Sequence, residues 1–175
     1  MKKRISKVII VVSLALLISS PAVAEIGGTV SQFKESGFVR VFEYQEKKHY
    51  ELKGEAAGKT AYQFVSPKYS SNVVEVVTDR NDKIVSETMM FAMVDRSNFV
   101  ALIGFWAEAS NGKIPITEAG DFIADTIKSA RPKVGYFEGY KITVVPAPEK
   151  GTATVSIREG KRPKRKMDRK KIRRR

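Results

Sequence analysis

An apolar run at residues 8–18 separates the N-terminus of this 175-residue chain from everything that follows it. Four cations precede the run, and Pro21 follows it, ahead of the small residues Ala22 and Ala24. A charged segment, an apolar segment and a small-residue site in this order are typical of a secretory signal peptide. The run is shorter than the roughly 20 apolar residues that a membrane-spanning helix needs. We therefore predict cleavage before Glu25 and a mature protein that is periplasmic or secreted and is not integral to the membrane.

The predicted signal peptide, residues 1–24, takes no part in the fold, so we expect a single domain at residues 25–157. The chain has no cysteine, and its stability must therefore come from burial rather than from disulfides. A chain of about 150 residues can bury roughly 68–70% of its unfolded surface, which is enough for one core. Thiolate zinc sites are excluded, and His49 is the only histidine. The sequence accordingly predicts no catalytic, cofactor-binding or metal-ligating set of residues.

The formal charge of +13 is distributed very unevenly along the chain. The predicted signal peptide carries four cations and no acid, and residues 158–175 carry twelve Lys or Arg against two acids. Residues 25–157 are left with a net charge of −1. The basicity therefore belongs to a C-terminal segment and not to the expected domain.

We call residues 158–175 the basic tail, and its composition cannot support a hydrophobic core. Beyond Gly160 it contains two isolated apolar side chains and no aromatic residue, so we predict that it is disordered when free. Its cations would bind polyanions by releasing counterions, without reading a nucleotide sequence, because no aromatic side chain is present to stack on bases. The predicted polyanion-binding residues are Lys161, Arg162, Lys164, Arg165, Lys166, Arg169, Lys170, Lys171, Arg173, Arg174 and Arg175.

For an exported protein, the anions within reach of the basic tail are lipopolysaccharide, anionic lipid, acidic polysaccharide and extracellular DNA. These are the predicted partners of the tail, and a further protein partner is expected for the domain. The alternative is a charged tail that only aids solubility or is removed by proteases.

Residues 28–94 show the pattern of β-strands. Alternation of side chains predicts a strand at 38–44, and shorter strands are predicted at 50–53 and 62–65. The clearest hairpin joins residues 73–78 to residues 83–94 through a four-residue turn rich in Asp and Asn.

The pattern changes to helices after residue 94. Apolar residues at helical spacing predict a first helix, capped by Asp95 or Ser97 and ending near Asn111-Gly112. Its apolar stripe runs through Phe99, Leu102, Ile103, Trp106 and Ala109 or Ser110. A second helix is predicted to begin at Thr117, a suitable N-cap, and to end before Pro132.

Two further strands, at 136–145 and 152–157, are predicted after the helices. Strands followed by helices and then by strands indicate an α+β domain. We predict an antiparallel sheet with two helices packed on one face, preceded by the signal peptide and followed by the basic tail.

Several motifs resemble binding sites but favour structural interpretations. Residues 54–60, GEAAGKT, resemble a phosphate-binding P-loop, yet three residues separate the glycines where four are required, and a strand follows where a helix is required. Asp79, Asn81 and Asp82 lack the mid-loop glycine and closing glutamate of a calcium loop, so a turn is predicted. His49 follows two lysines and is predicted to be an exposed loop residue rather than a general base.

Two groups of large side chains are candidates for the core or for a binding surface. Met89, Met90 and Met93 could form an adaptable binding surface, but a role in the core is favoured. Phe105 and Trp106 are adjacent, so a helix cannot point both in one direction, and we expect one of them at the edge of the core, marking a groove.

The contrast between a nearly neutral domain and a strongly basic tail favours a non-enzymatic function. We expect an exported binding or accessory protein whose tail attaches it to an anionic surface. One alternative is a small hydrolase or lyase that acts on envelope polymers, which predicts two carboxylates meeting in a cleft with displaced pKa values. Another is an exported inhibitor or a secretion or assembly chaperone that uses a face or an edge of the sheet.

Overall fold

The computed structural model describes residues 25–69, 71–93 and 96–161. The predicted signal peptide and the basic tail beyond Lys161 lie outside these residues. The helices are α1 (Val30–Lys34), α2 (Gly37–Val41), α3 (Arg96–Ala109) and α4 (Ile116–Ser129), with 3₁₀ turns at Gly54–Ala56 and Pro148–Lys150. The strands are β1 (Gln45–Glu51), β2 (Thr60–Val65), β3 (Val73–Thr78), β4 (Ile84–Ala92), β5 (Lys133–Phe137), β6 (Tyr140–Ala147) and β7 (Thr152–Glu159).

All seven strands form one antiparallel sheet in the order β1-β2-β3-β4-β7-β6-β5. The buried side chains of the helices and of one sheet face form a single hydrophobic core. The predicted α+β class, with helices on one face of an antiparallel sheet, is confirmed. Within the described ranges, no helix combines the length and the apolar character that crossing a bilayer requires.

The prediction of a strand at residues 38–44 is wrong, because this region begins with helix α2. Ser36 caps α2, and its hydroxyl accepts a hydrogen bond from the backbone N–H of Val39 at 3.3 Å. The spacing of Phe38 and Phe42 is also that of one helical face, and both rings are buried. Local capping and burial on a helical period therefore outweigh the alternating pattern.

Helix α1 was missed altogether, although the sequence carries a signal for it. Thr29 and Gln32 form a capping box, in which the Thr29 hydroxyl accepts from the Gln32 N–H at 3.3 Å. The Gln32 side-chain oxygen accepts in return from the Thr29 N–H at 2.8 Å. Val30 and Phe33 of this short helix are buried, so α1 contributes directly to the core.

The prediction of one strand at residues 136–145 is also wrong, because a tight turn divides the region into β5 and β6. Glu138 and Gly139 both have positive φ, at 44° and 89°, as a two-residue hairpin turn of the favoured type requires. Glutamate is an unusual residue in this conformation, which explains why the turn was not recognised.

The hairpin of β3 and β4 is confirmed, together with its turn. The Asp79 carboxylate accepts hydrogen bonds from the backbone N–H groups of Asn81 at 2.8 Å and of Lys83 at 3.0 Å. Asp82 has a φ of 58°, the left-handed conformation that aspartate tolerates. One of the oxygens that resembled calcium ligands in the sequence, Oδ1 of Asp79, therefore already accepts the hydrogen bonds that stabilise the turn.

Asp79→Ala is expected to lower the free energy of unfolding by about 1 kcal/mol, because two backbone N–H groups lose their acceptor. Denaturant unfolding followed by circular dichroism measures the loss. Asp79→Asn keeps the accepting Oδ1 atom and should retain most of the stability. Equal losses in the two variants would contradict this role for the carboxylate.

Helix α3 packs on strand β4 and also contacts helices α2 and α4. Gly104 faces α2 so closely that a Cβ atom there would lie 2.5 Å from Cε2 of Phe42. The next residue, Phe105, packs on Phe38, with ring centroids 6.1 Å apart. Trp106 packs on Phe137 of β5, with ring centroids 6.4 Å apart. Both adjacent aromatic residues are therefore buried.

The two long helices match their predicted positions with small differences at the ends. Helix α3 begins at Arg96; Asp95 and the side chain of Ser97 lie outside the described part of the chain, so the predicted caps stay predictions. Helix α4 begins at Ile116 with Pro115 as its N-cap, so the prediction of Thr117 as the N-cap is wrong. It ends at Ser129, where Ala130 adopts a left-handed conformation before Pro132 is reached.

Candidate functional site

The root of the basic tail is fixed to the sheet next to the turn between β5 and β6. Strand β7 ends at Glu159, and the N–H of Gly160 donates to the carbonyl oxygen of Gly139 at 2.9 Å. Lys161 follows and is exposed. Of the predicted polyanion-binding residues, Lys161 is the only one inside the described ranges, and the others, from Arg162 onward, lie outside them.

The sheet surface turned away from the helices, which we call the open face, lies beside this root. Its middle row crosses all seven strands through Lys48, Gln63, Glu75, Thr88, Ser156, Thr143 and Val134. All seven residues are half-buried or exposed, whereas the residues that alternate with them on β3, β4, β6 and β7 are buried. The open face is therefore a solvent-facing surface whose registration is set by the burial of the opposite side.

Two cations stand together on the open face where the tail leaves the sheet. Lys141 of β6 and Arg158 of β7 are directly opposite each other in the strand register. Gly160 lies against Lys141, since a Cβ atom at Gly160 would be 2.6 Å from the Lys141 Cβ. Among the described residues, neither cation forms an ion pair with an acid. The basic tail is therefore continuous with a small basic patch on the domain.

Among the described strand residues, Glu75 is the only acid that points to the open face, and two neighbouring side chains donate hydrogen bonds to it. The Tyr50 hydroxyl donates to Glu75 Oε2 at 2.9 Å, and the Gln63 side-chain amide donates to the same oxygen at 3.3 Å. The hydrogen bond to this carboxylate raises the pKa of Tyr50. The strand residues of the open face therefore carry three cations, Lys48, Lys141 and Arg158, and one carboxylate, which is hydrogen-bonded.

A narrow apolar groove runs between helices α3 and α4, with a volume of about 90 Å³. Its surface is almost entirely apolar, and no charged side chain is among the lining residues. The groove therefore offers apolar contact area but no catalytic groups. Trp106 lines the groove, as expected for one of the two adjacent aromatic residues, although only 2% of this residue is exposed. The lining residues are Phe99, Leu102, Ile103, Trp106, Ile116, Ala119, Gly120 and Ile123.

A polar cleft of about 340 Å³ lies at the ends of the first two hairpins. Gly58, Lys59 and Thr60 of the P-loop-like segment line it, and this segment forms a 3₁₀ turn at Gly54–Ala56 before it enters strand β2. No helix N-terminus faces the cleft from this segment, and the tight-turn interpretation is confirmed. Arg80 packs directly over Gly58, where a Cβ atom would lie 2.3 Å from the Arg80 Nε.

His49 is exposed, as predicted, but it lies within strand β1 and not in a loop. Its Nδ1 is 2.8 Å from Oε1 of Glu46, whose other oxygen is 2.6 Å from the Lys34 Nζ. The hydrogen bonds from Lys34 and then from His49 lower the pKa of Glu46. Within the described ranges, no three residues of metal-binding type are grouped to hold an ion.

The three methionines occupy different surroundings. Met89 is fully buried and Met93 packs against the core, which agrees with the structural interpretation. Met90 points to the open face and is 41% exposed, so for this residue the core assignment is wrong.

Sequence reasoning missed a buried carboxylate, Glu87 of β4, which shares the inward face of its strand with Met89 and Phe91. Glu87 is 0% exposed, and neither of its oxygens has a hydrogen-bond partner among the described residues. Burial, and then the electrostatic effect of Glu108 on α3, raise its pKa well above the ordinary value. The alternation along β4 shows that Glu87 shares a face with Met89 and Phe91, but not that this face is the buried one.

The two carboxylates of Glu87 and Glu108 are sealed inside the core. Glu108 is 3% exposed, and neither residue lines the apolar groove or the polar cleft. Glu87 resembles the acid of a hydrolase in its raised pKa, but neither carboxylate is accessible to a substrate.

Comparisons with protein-family models, with curated proteins and with solved structures found no match to this chain.

Proposed function

We propose that this chain is an exported, non-enzymatic binding or accessory protein whose basic tail attaches it to anionic membranes or polymers beyond the cytoplasm. The observation that carries the proposal is the separation of charge between a domain with a net charge of −1 and a tail with a net charge of +10. Clusters of Lys and Arg beside a folded domain are a general means of electrostatic attachment to anionic surfaces.

The position of the tail root supports this function. The first two tail residues, Arg158 and Glu159, form the end of β7, the strand between β4 and β6, and the next residue, Gly160, is fixed by its hydrogen bond to Gly139. Lys141 and Arg158 extend its charge onto the domain. An anionic partner held by the tail is thereby brought against the open face.

The hydrolase or lyase alternative is not supported by the placement of the carboxylates. General acid and base groups must reach the bond that they act on, whereas Glu87 on β4 and Glu108 on α3 are buried and line neither the apolar groove nor the polar cleft. An inhibitor or chaperone would use the open face for a protein partner, and a stoichiometric protein co-purifying from the native cell would distinguish this function from lipid or polymer attachment.

Sedimentation with vesicles tests the proposal directly. Residues 25–175 should co-sediment with phosphatidylglycerol vesicles and not with phosphatidylcholine vesicles, and a chain that ends at Gly160 should remain in the supernatant with both. Ending at Gly160 preserves β7 and the Gly160 hydrogen bond, so the domain remains a fair comparison. Equal sedimentation of the two chains would refute the role of the tail.

A further inference from the structure

The exposed apolar side chains of the domain are concentrated on the open face. Five large apolar residues of the described part of the chain are substantially exposed. Four of them lie on the open face by the strand register: Tyr50 (38%), Met90 (41%), Val134 (48%) and Val145 (41%). The fifth, Phe99, lies on α3. A one-sided distribution of this kind marks an interaction surface and not a random scatter.

The open face is also broad, and the side chains at its centre are small. Six strand spacings of about 4.8 Å make it roughly 30 Å wide. Small hydroxyl residues occupy its centre, where Thr88 donates from its hydroxyl to Ser156 at 3.0 Å. Charged and apolar side chains can therefore meet an extended flat partner at the same time.

The combination of features selects among anionic partners. Binding to a soluble polyanion draws on cations alone, and exposed apolar side chains add nothing to counterion release. A membrane interface uses both, because apolar side chains enter the boundary of the acyl chains while Lys and Arg attract anionic head groups.

We propose that the open face is the surface of this protein that lies against an anionic phospholipid bilayer, with Met90 and Val145 entering the interface and with Lys141 and Arg158 beside the head groups. The inference rests on the proposed attachment by the basic tail, which it deepens by naming the partner as lipid and by fixing the orientation of the domain. The helices α3 and α4 face away from the membrane in this arrangement.

The absence of cysteine from the chain permits a clean test of orientation. An environment-sensitive thiol dye is attached at Met90→Cys on the open face or at Ala124→Cys, an exposed and equally uncharged position on α4, in residues 25–175. On addition of phosphatidylglycerol vesicles, the emission of the dye at position 90 should shift to the blue and become protected from aqueous iodide. The dye at position 124 should change in neither respect.

Sedimentation of the same labelled samples separates the two proposals. If both sediment with vesicles while the dye at position 90 remains in water, the lipid-facing orientation is wrong and tail attachment stands. If neither sediments, both proposals fail. A dye at position 90 that is already shielded before vesicles are added means that a second copy of the chain covers the open face, and this outcome also overturns the inference.

The charged part of the surface has its own variant. Lys141→Gln with Arg158→Gln should weaken partitioning onto phosphatidylglycerol vesicles by about thirtyfold while the tail is intact, since each cation near the surface contributes about 1 kcal/mol. Lys128→Gln with Arg131→Gln makes the same change of charge at exposed positions at the end of α4 and should leave partitioning unchanged. Equal weakening by both pairs would indicate a response to net charge alone and would contradict the orientation.

Discussion

Shortening the chain to end at Gly160 is expected to remove at least a hundredfold of its affinity for a simple polyanion such as a short DNA duplex at low salt. The truncation removes every cation after Gly160, which are the eleven predicted polyanion-binding residues. For the intact tail, contact with about 6–10 phosphates predicts a loss of roughly 10³–10⁵ in affinity between 50 and 200 mM salt. Fluorescence anisotropy of a labelled duplex, titrated at several salt concentrations, measures both effects.

A graded variant tests whether the salt dependence belongs to the tail. Replacing Arg173, Arg174 and Arg175 by glutamine should reduce the slope of log affinity against log salt by roughly three, since each released counterion contributes about 0.9. Duplexes of unrelated sequence should bind equally, because the tail has no aromatic residue for base stacking.

A matched set of domain cations serves as the control. Lys128, Arg131 and Lys150 are exposed and lie outside the tail, and their replacement by glutamine changes the net charge by the same amount. The slope should stay at the value of the unaltered protein. A slope that falls equally in both triple variants would show that net charge, and not the tail, governs binding.

Glu87→Gln is expected to make the domain more stable at neutral pH than the unaltered protein, by about 1–3 kcal/mol. Burial raises the pKa of Glu87 in the folded protein above the ordinary value of 4.5 that applies to the unfolded chain. Below pH 4.5 both states hold the proton, and as the pH rises the unfolded state releases it first. The stability of the unaltered protein should therefore fall as the pH rises above about 4.5, and the glutamine variant should lack this part of the decline.

Denaturant unfolding at a series of pH values between 4 and 8 measures this difference. The two proteins should have similar stability at pH 4 and diverge at higher pH. Glu55→Gln, which makes the same charge change at an exposed position in the β1–β2 connection, should leave the slope unchanged. Parallel curves for Glu87→Gln and the unaltered protein would show that Glu87 gains its proton no more readily in the folded state than in the unfolded state.

The parts of the fold that local sequence determines were predictable. The β3–β4 hairpin follows from two β-rich runs and a turn that Asp79 stabilises by itself, and α3 follows from apolar residues at helical spacing. The region before β1 was misread because Phe38 and Phe42 satisfy both an alternating and a helical pattern. Only the caps at Thr29 and Ser36 decide in favour of helices.

The candidate site was less predictable than the fold, because it depends on the order of strands in the sheet. Lys141 and Arg158 are 17 positions apart in sequence and become neighbours only through the pairing of β6 with β7. The sequence likewise shows that Met90 and Met89 face opposite sides of β4, but not which side the helices cover. The burial of Glu87 depends on that same choice.

Mass spectrometry of the protein recovered from fractions of the native cell tests the central claim of export most directly. We expect a chain that begins at Glu25 and ends at Arg175, found outside the cytoplasm and released from envelope material by raised salt. A chain that still begins at Met1 and is confined to the cytosol would contradict the account, and would make intracellular nucleic acid the first partner to test.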